Sequence, residues 1–153
     1  MRFLYYYHQL ISNLLRIYEF TNMKSLKRQD LIYPELSYQI IGILFEVYNE
    51  LGPGHHEKYY QKAISKAFKD SNLYFQEQVY TPLIFRDKKV GNYYFDFLIE
   101  NKIILEIKKG DRFSKKHINQ VLAYLRTKSL KLGIIANFGL KGVKFKRIIN
   151  FNS

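Results

Sequence analysis

No cysteine occurs among the 153 residues, which excludes a disulfide scaffold and thiolate metal sites and fits a reducing cytosol. Acidic residues are scarce: 13 Asp and Glu stand against 25 Lys and Arg, a formal charge of +12. That imbalance favours a polyanionic partner, of which nucleic acid is the commonest. A long unbroken apolar run is missing as well. The opening "MRFLYYYHQLISNLLRIYEF" is interrupted by His8, Gln9, Ser12, Asn13 and Arg16, too polar to span a bilayer, and it lacks an A-x-A-like cleavage site. Residues 1–30 therefore read as an N-terminal extension with room for a short amphipathic helix, and Met23 before "KSLKRQDLIYPELS" reads as an alternative start. There is no internal repeat and no low-complexity linker. What the chain does have is 47% hydrophobic and 17% aromatic residues, enough for one packed core, expected over residues 31–153.

The apolar spacing of Ile40, Leu44, Val47 and Leu51 predicts a helix that stops at Gly52-Pro53-Gly54. A second helix is expected from about Glu57 to Asp70, with Tyr60, Ala63, Ile64, Ala67 and Phe68 inward. Three strand-like runs follow, Val79–Phe85, Tyr93–Ile99 and Ile103–Ile107, with turns at Asp87-Lys88-Lys89 and Glu100-Asn101-Lys102. Ser114 is the expected N-cap of a helix burying Ile118, Val121, Leu122 and Leu125. "KLGIIANFG" reads as a buried strand and "VKFKRIINF" as an alternating one with its basic face outward. The order is ααβββαββ: a mixed α/β fold on one sheet, with at least one parallel pair across the last helix.

Two of these apolar runs each carry a carboxylate, Asp96 in "NYYFDFLI" and Glu106 in "IILEIKKG". Burying an ionised carboxylate without compensation costs several kcal/mol. If Ile99 pairs with Ile103 across the turn, Asp96 falls opposite Glu106 with Cβ atoms roughly 5 Å apart, and Lys108 shares their face. The other face then carries Phe95, Phe97 and Ile99 beside Ile103, Leu105 and Ile107. Two carboxylates so placed repel, so one takes up a proton unless a cation joins them. Mg²⁺ or Mn²⁺, hard ions that prefer oxygen ligands, suit that place. Lys108 is the other candidate, neutralising the pair as a plain salt bridge.

The trio Asp96, Glu106 and Lys108, spaced D-x(9)-E-I-K, resembles the active-site motif of the PD-(D/E)XK nuclease superfamily, with Phe95 where a Pro often stands. "GHHEKYY", from Gly54 to Tyr60, is similar to the G-x-x-E-x-x-Y signature of the GxxExxY protein family within it. The blocks "IIGILFEVYNELGPG", "FQEQVYTPLIF" and "LGIIANFG" extend the resemblance over roughly Leu31 to Ile149. His55 and His56 stand where that family usually has apolar residues; they read as loop histidines, with metal ligation as the alternative. "QVLAY", Gln120 to Tyr124, resembles the Q-x-x-x-Y helix motif of RecB-like exonucleases.

The resemblance implies a restriction-endonuclease-like core and Mg²⁺-dependent hydrolysis of phosphodiester bonds, in DNA first. Asp96 and Glu106 would be metal ligands, joined by a helix-borne acid. Glu57 opens the helix before the strands, where the helix dipole favours its ionised form. Glu46 is the second choice, facing solvent by its periodicity. Lys108 would orient the attacking water or offset phosphorane charge, Gln120 would help position nucleophile or DNA, and Tyr124 would stack or hydrogen-bond. Lys109, Arg112, Lys115, Lys116, Lys144, Lys146 and Arg147 would grip the nucleic-acid backbone without reading sequence. A homodimer would suit the superfamily, although no interface motif stands out. The alternative is a non-catalytic nucleic-acid-binding or accessory protein on the same fold, whose binding persists in EDTA.

Overall fold

The computed structural model describes residues 32–152, so the expected extension over 1–30 and the alternative start at Met23 lie outside the described residues. The first helix, α1 (Pro34–Leu51), begins with Pro34, whose missing N–H would have no helical acceptor there in any case. It ends at Gly52, whose φ of 76° suits glycine and whose N–H returns to the Tyr48 carbonyl at 2.8 Å. After a short loop come α2 (Glu57–Asp70), β1 (Phe75–Phe85), β2 (Lys88–Ile99), β3 (Ile103–Lys109), α3 (Lys115–Thr127), β4 (Leu132–Phe138) and β5 (Val143–Ile149). Ser114 occupies the N-cap of α3, but its side chain makes no capping bond. Among the described residues no helix is long and apolar enough to cross a membrane.

The five strands form one sheet in the order β1-β2-β3-β4-β5. Only β3 and β4 run parallel, joined through α3; the other pairs are antiparallel. Helices cover both sides of β4, and every one of its residues is buried, which is why "LGIIANF" is apolar throughout. On one side α1 and α2 press Leu44, Tyr60, Ile64 and Phe68 onto Phe97, Leu105 and Ile134. On the other, α3 packs Val121, Tyr124 and Leu125 on Phe95, Ile104 and Ile135. Each such large side chain, fully buried, contributes about 1.5–3 kcal/mol. Leu51, expected on the inner stripe, is 40% exposed because the last turn of α1 runs past the core into the Gly52–Gly54 loop.

Two departures from the expected strand pattern shape the site. First, β1 and β2 are longer than expected and turn at Arg86-Asp87, both left-handed (φ 46° and 62°), not at Asp87-Lys88-Lys89. β2 pairs with β3 only through Phe97, Leu98 and Ile99, while its pairing with β1 continues out to Lys88. Residues 88–96 thus leave the sheet with β1 as a two-stranded ribbon about 30 Å long at the usual strand rise. Second, the ladder between β1 and β2 skips one pair, Gln78 and Asp96, where Gln78 adopts φ 51°. Across this break the faces exchange: Phe97 packs toward α1 and α2, whereas Phe95 packs toward α3. The expectation that Phe95 shares a face with Phe97 is corrected here, because strict alternation holds only along an unbroken pleat.

Candidate active site

The site sits at the root of the ribbon, where β2 parts from β3. The expected register holds up to this point, with Ile99 opposite Ile103 and Phe97 opposite Leu105. Beyond it the backbone groups stop exchanging bonds with each other, and two side chains take over. The Asp96 N–H donates to Glu106 Oε2 at 3.2 Å, and the Ile107 N–H donates to Asp96 Oδ2 at 2.7 Å. The two carboxylates therefore satisfy amides that the diverging strands would otherwise leave unpaired in a buried place. Asp96 is 6% exposed and Glu106 9%.

Neighbouring elements complete the cluster. Lys108 Nζ lies 2.7 Å from Glu106 Oε1 and 3.9 Å from Glu57 Oε2, and Gln61 Nε2 donates to Asp96 Oδ1 at 2.8 Å. Glu57 Oε1 accepts the Lys109 N–H at 3.0 Å, and Lys109 Nζ donates to the Gly54 carbonyl at 3.2 Å. The first turn of α2 and the loop before it are thereby tied to the end of β3.

Burial and the Glu106 charge push the Asp96 carboxyl up to about 7, against the pull of the Ile107 N–H and Lys108 and with a further push from Glu57. Burial alone would lower Lys108; the charge and hydrogen bond of Glu106, then Glu57 and Asp96, outweigh it and hold the ammonium above its usual range. His117, half-buried near the start of α3, is lowered by burial and by Lys108, which keeps its ring neutral at pH 7. The paired carboxylates thus answer their repulsion by holding a proton near neutrality.

A divalent cation fits that arrangement. Asp96, Glu106 and Glu57 bring three carboxylates to one ammonium, an excess of negative charge borne on hard oxygen donors. Among the described residues no three His, Cys, Asp or Glu side chains are grouped as a ready-made cage. The protein would therefore supply one or two carboxylates and leave the rest of the shell to water and substrate phosphate, the usual manner of holding Mg²⁺.

The other candidate residues divide. Tyr124 is buried, its ring centroid 4.9 Å from that of Phe95, and burial together with Tyr93 keeps its hydroxyl protonated. Gln120 is half-buried one turn earlier, and among the described residues neither hydrogen-bonds to Asp96, Glu106 or Lys108. Glu46 is exposed on α1, outside the cluster. His55 and His56 are exposed in the loop, where a His55 ring nitrogen lies 2.9 Å from the Leu51 carbonyl. Lys144 reaches the Asp111 carbonyl at 3.4 Å, and Lys146 lies 5.7 Å from the Phe113 ring. Both therefore meet the β3–α3 loop, which also carries Arg112 and leads into Lys115 and Lys116, all exposed. Arg147 leaves this group: it shares the inward side of β5 with Val143 and Phe145, and its guanidinium donates to the Ile32 carbonyl at 2.5 Å. Gln61 and His117 went unnoticed in the sequence. Gln61 stands four residues after Glu57, hence on the same helix face, and His117 stands three before Gln120.

A sequence model described as the PD-(D/E)XK nuclease superfamily matches residues 34–148. The chain belongs to this superfamily. No curated protein matches it. A solved structure described as the crystal structure of SSO0001 is similar at 17% identity over 92% of this chain and 78% of that one, with a TM-score of 0.45, too distant to bear on the site.

Proposed function

We propose that this chain is a Mg²⁺- or Mn²⁺-dependent nuclease of the cytoplasm. It would hydrolyse phosphodiester bonds in DNA and recognise backbone or structure rather than base sequence. The observation that carries the reading is the buried Asp96–Glu106 pair, salt-bridged to Lys108 and open to charge compensation at the ribbon's root.

Asp96 and Glu106 would hold the cation, with Glu57 beside them. When bound, a divalent ion supplies Lewis-acid polarisation of a phosphate and a water of lowered pKa. Gln61 keeps Asp96 aimed, and the amide of Ile107 fixes its second oxygen. Lys108, held by Glu106, offers an ammonium to the charge that gathers on the phosphorane oxygens. Lys109, Arg112, Lys115, Lys116, Lys144 and Lys146 would grip flanking phosphates as point charges, which favours binding that weakens steeply with salt.

Membership of the GxxExxY branch is part of this proposal. Its three signature positions are all engaged: the Gly54 carbonyl holds Lys109, Glu57 holds the Lys109 amide, and the Tyr60 hydroxyl donates to the Gly52 carbonyl at 2.7 Å.

The test is a panel of labelled single-stranded, duplex, flapped and branched DNAs with Mg²⁺, Mn²⁺ or EDTA. The wild-type chain is expected to cut at least one substrate with metal. Asp96→Ala and Glu106→Ala should abolish that cleavage while DNA affinity in EDTA stays largely intact. A wild-type protein that cuts no substrate with either metal hands the function to the non-catalytic binding reading.

A further inference from the structure

The ribbon exposes more large apolar side chains than a solvent-facing hairpin needs. Tyr80 is 44% exposed and Tyr94 50%, and Leu83, Ile84, Phe85 and Val90 are exposed beyond them. Tyr80 and Tyr94 are direct cross-strand partners, their ring centroids 5.6 Å apart at 66°. They project opposite to Phe95 and Tyr124, so they stand on the side from which Gln61 reaches Asp96. Tyr94 is two residues from Asp96. Cations accompany the rings: Lys89 Nζ lies 5.2 Å from the Tyr80 ring centroid, and the Arg86 guanidinium 5.2 Å from that of Phe85. The turn end of the ribbon carries Arg86, Lys88 and Lys89 against Asp87.

We propose that this side of the ribbon is a platform for single-stranded nucleic acid. Unpaired bases would stack on Tyr80 and Tyr94, Lys89 would meet the adjoining phosphates, and the strand would lead into the Asp96–Glu106 pair. What happens at that pair rests on the nuclease reading; the binding does not. An exposed ring rewards a base whose face is free, and bases inside a duplex have both faces already stacked, so the platform selects single strands. The cations beside the rings suit a polyanion and would oppose a like-charged surface. A second copy of this basic chain is the weaker occupant. The outer edge of β1 is spoiled as a template for another strand by Pro82, by left-handed Gln78 and by the register shift between Leu83 and Ile84.

The experiment measures fluorescence anisotropy of a labelled oligothymidine and of a duplex of equal length, in EDTA, with the full chain. Tyr80→Ala/Tyr94→Ala should lose roughly tenfold or more in oligothymidine affinity, the scale of losing base–aromatic stacking, with duplex affinity little changed. Tyr80→Phe/Tyr94→Phe keeps the rings and should bind as wild type does, separating stacking from hydroxyl chemistry. Thermal melts of both variants check that these exposed positions leave the fold intact. The proposal is overturned if the alanine pair binds oligothymidine like wild type, or if it loses duplex and single strand equally. It is also overturned if sedimentation shows the alanine pair dissociating a wild-type dimer while oligothymidine binding stays the same. Loss of cleavage with this binding pattern intact would count against the nuclease reading alone, whereas a wild-type chain that ignores oligothymidine overturns the platform whatever it cuts.

Discussion

Asp96→Asn should make the metal-free protein more stable at pH 8 and, by a smaller margin, at pH 5. In the folded chain the Asp96 carboxyl is pushed from 3.8 up to about 7, first by burial and then by Glu106. A raised carboxyl pKa means that the folded state holds its proton more tightly than the unfolded one. Between about pH 4 and pH 7 the folded chain therefore binds more protons, and stability falls as pH rises through that window. The shift is about three pH units at roughly 1.4 kcal/mol each, a loss of about 4 kcal/mol by pH 8. The substituted amide is a permanent stand-in for the protonated acid, and the Gln61 side chain can turn over to present its oxygen to the new NH₂ group. For a chain of this length about 4 kcal/mol corresponds to roughly 10 °C in Tm. Denaturant titrations of both proteins in EDTA from pH 5 to 8 measure the difference, in which carboxylates remote from Asp96 cancel. Parallel stability curves for wild type and Asp96→Asn would refute the electrostatic account. Added Mg²⁺ should then stabilise wild type at pH 8 and leave the variant unmoved, since a bound cation replaces the proton.

Two further predictions concern the same cluster and its support. Lys108→Ala should lower the rate of metal-stimulated cleavage while shifting its dependence on metal concentration only modestly, as a titration with Mn²⁺ would show. Gly133→Ala should cost about 1–3 kcal/mol in a denaturant melt: an added Cβ would stand 2.4 Å from Val121 Cγ1, and β-branched Val121 on α3 has little freedom to move away. A melt unchanged from wild type would mean that α3 does not pack against β4 as closely as described.

Much of the fold was legible because its helices and buried strands obey one period each. Ile64, Phe68 and Val121 fell on their inner faces by spacing alone, and pairing Ile99 with Ile103 carried Asp96 to Glu106. Alternation failed at Phe95 for a physical reason: no local signal in "FQEQVY" announces that Gln78 will turn left-handed and break the pleat opposite Asp96. The length of the ribbon was obscured for a related reason. Its exposed Leu83, Ile84 and Val90 look like core residues to any rule that equates apolar with buried. Arg147 is the opposite case. The period of β5 places it inward with Phe145 and Ile149, and grouping it with Lys144 and Lys146 let charge overrule spacing.

The parting of β2 from β3 explains why the acids sit where they do. A buried carboxylate is tolerated only where donors converge on it, and a continuous ladder has none to spare, because its amides are all engaged with carbonyls. Where β2 parts from β3, the amides of Asp96 and Ile107 lose their carbonyl partners and face the gap. Asp96 and Glu106 take the place of those carbonyls, and in doing so they gain two fixed donors that hold their oxygens in place without a metal. Moving either acid one residue along its strand would set it at a position filled by a buried apolar side chain, Phe95 or Phe97 on β2 and Leu105 or Ile107 on β3, with no free amide to receive it. The parting of the strands that sends the ribbon outward is therefore also what makes a buried pair of carboxylates tolerable at its base.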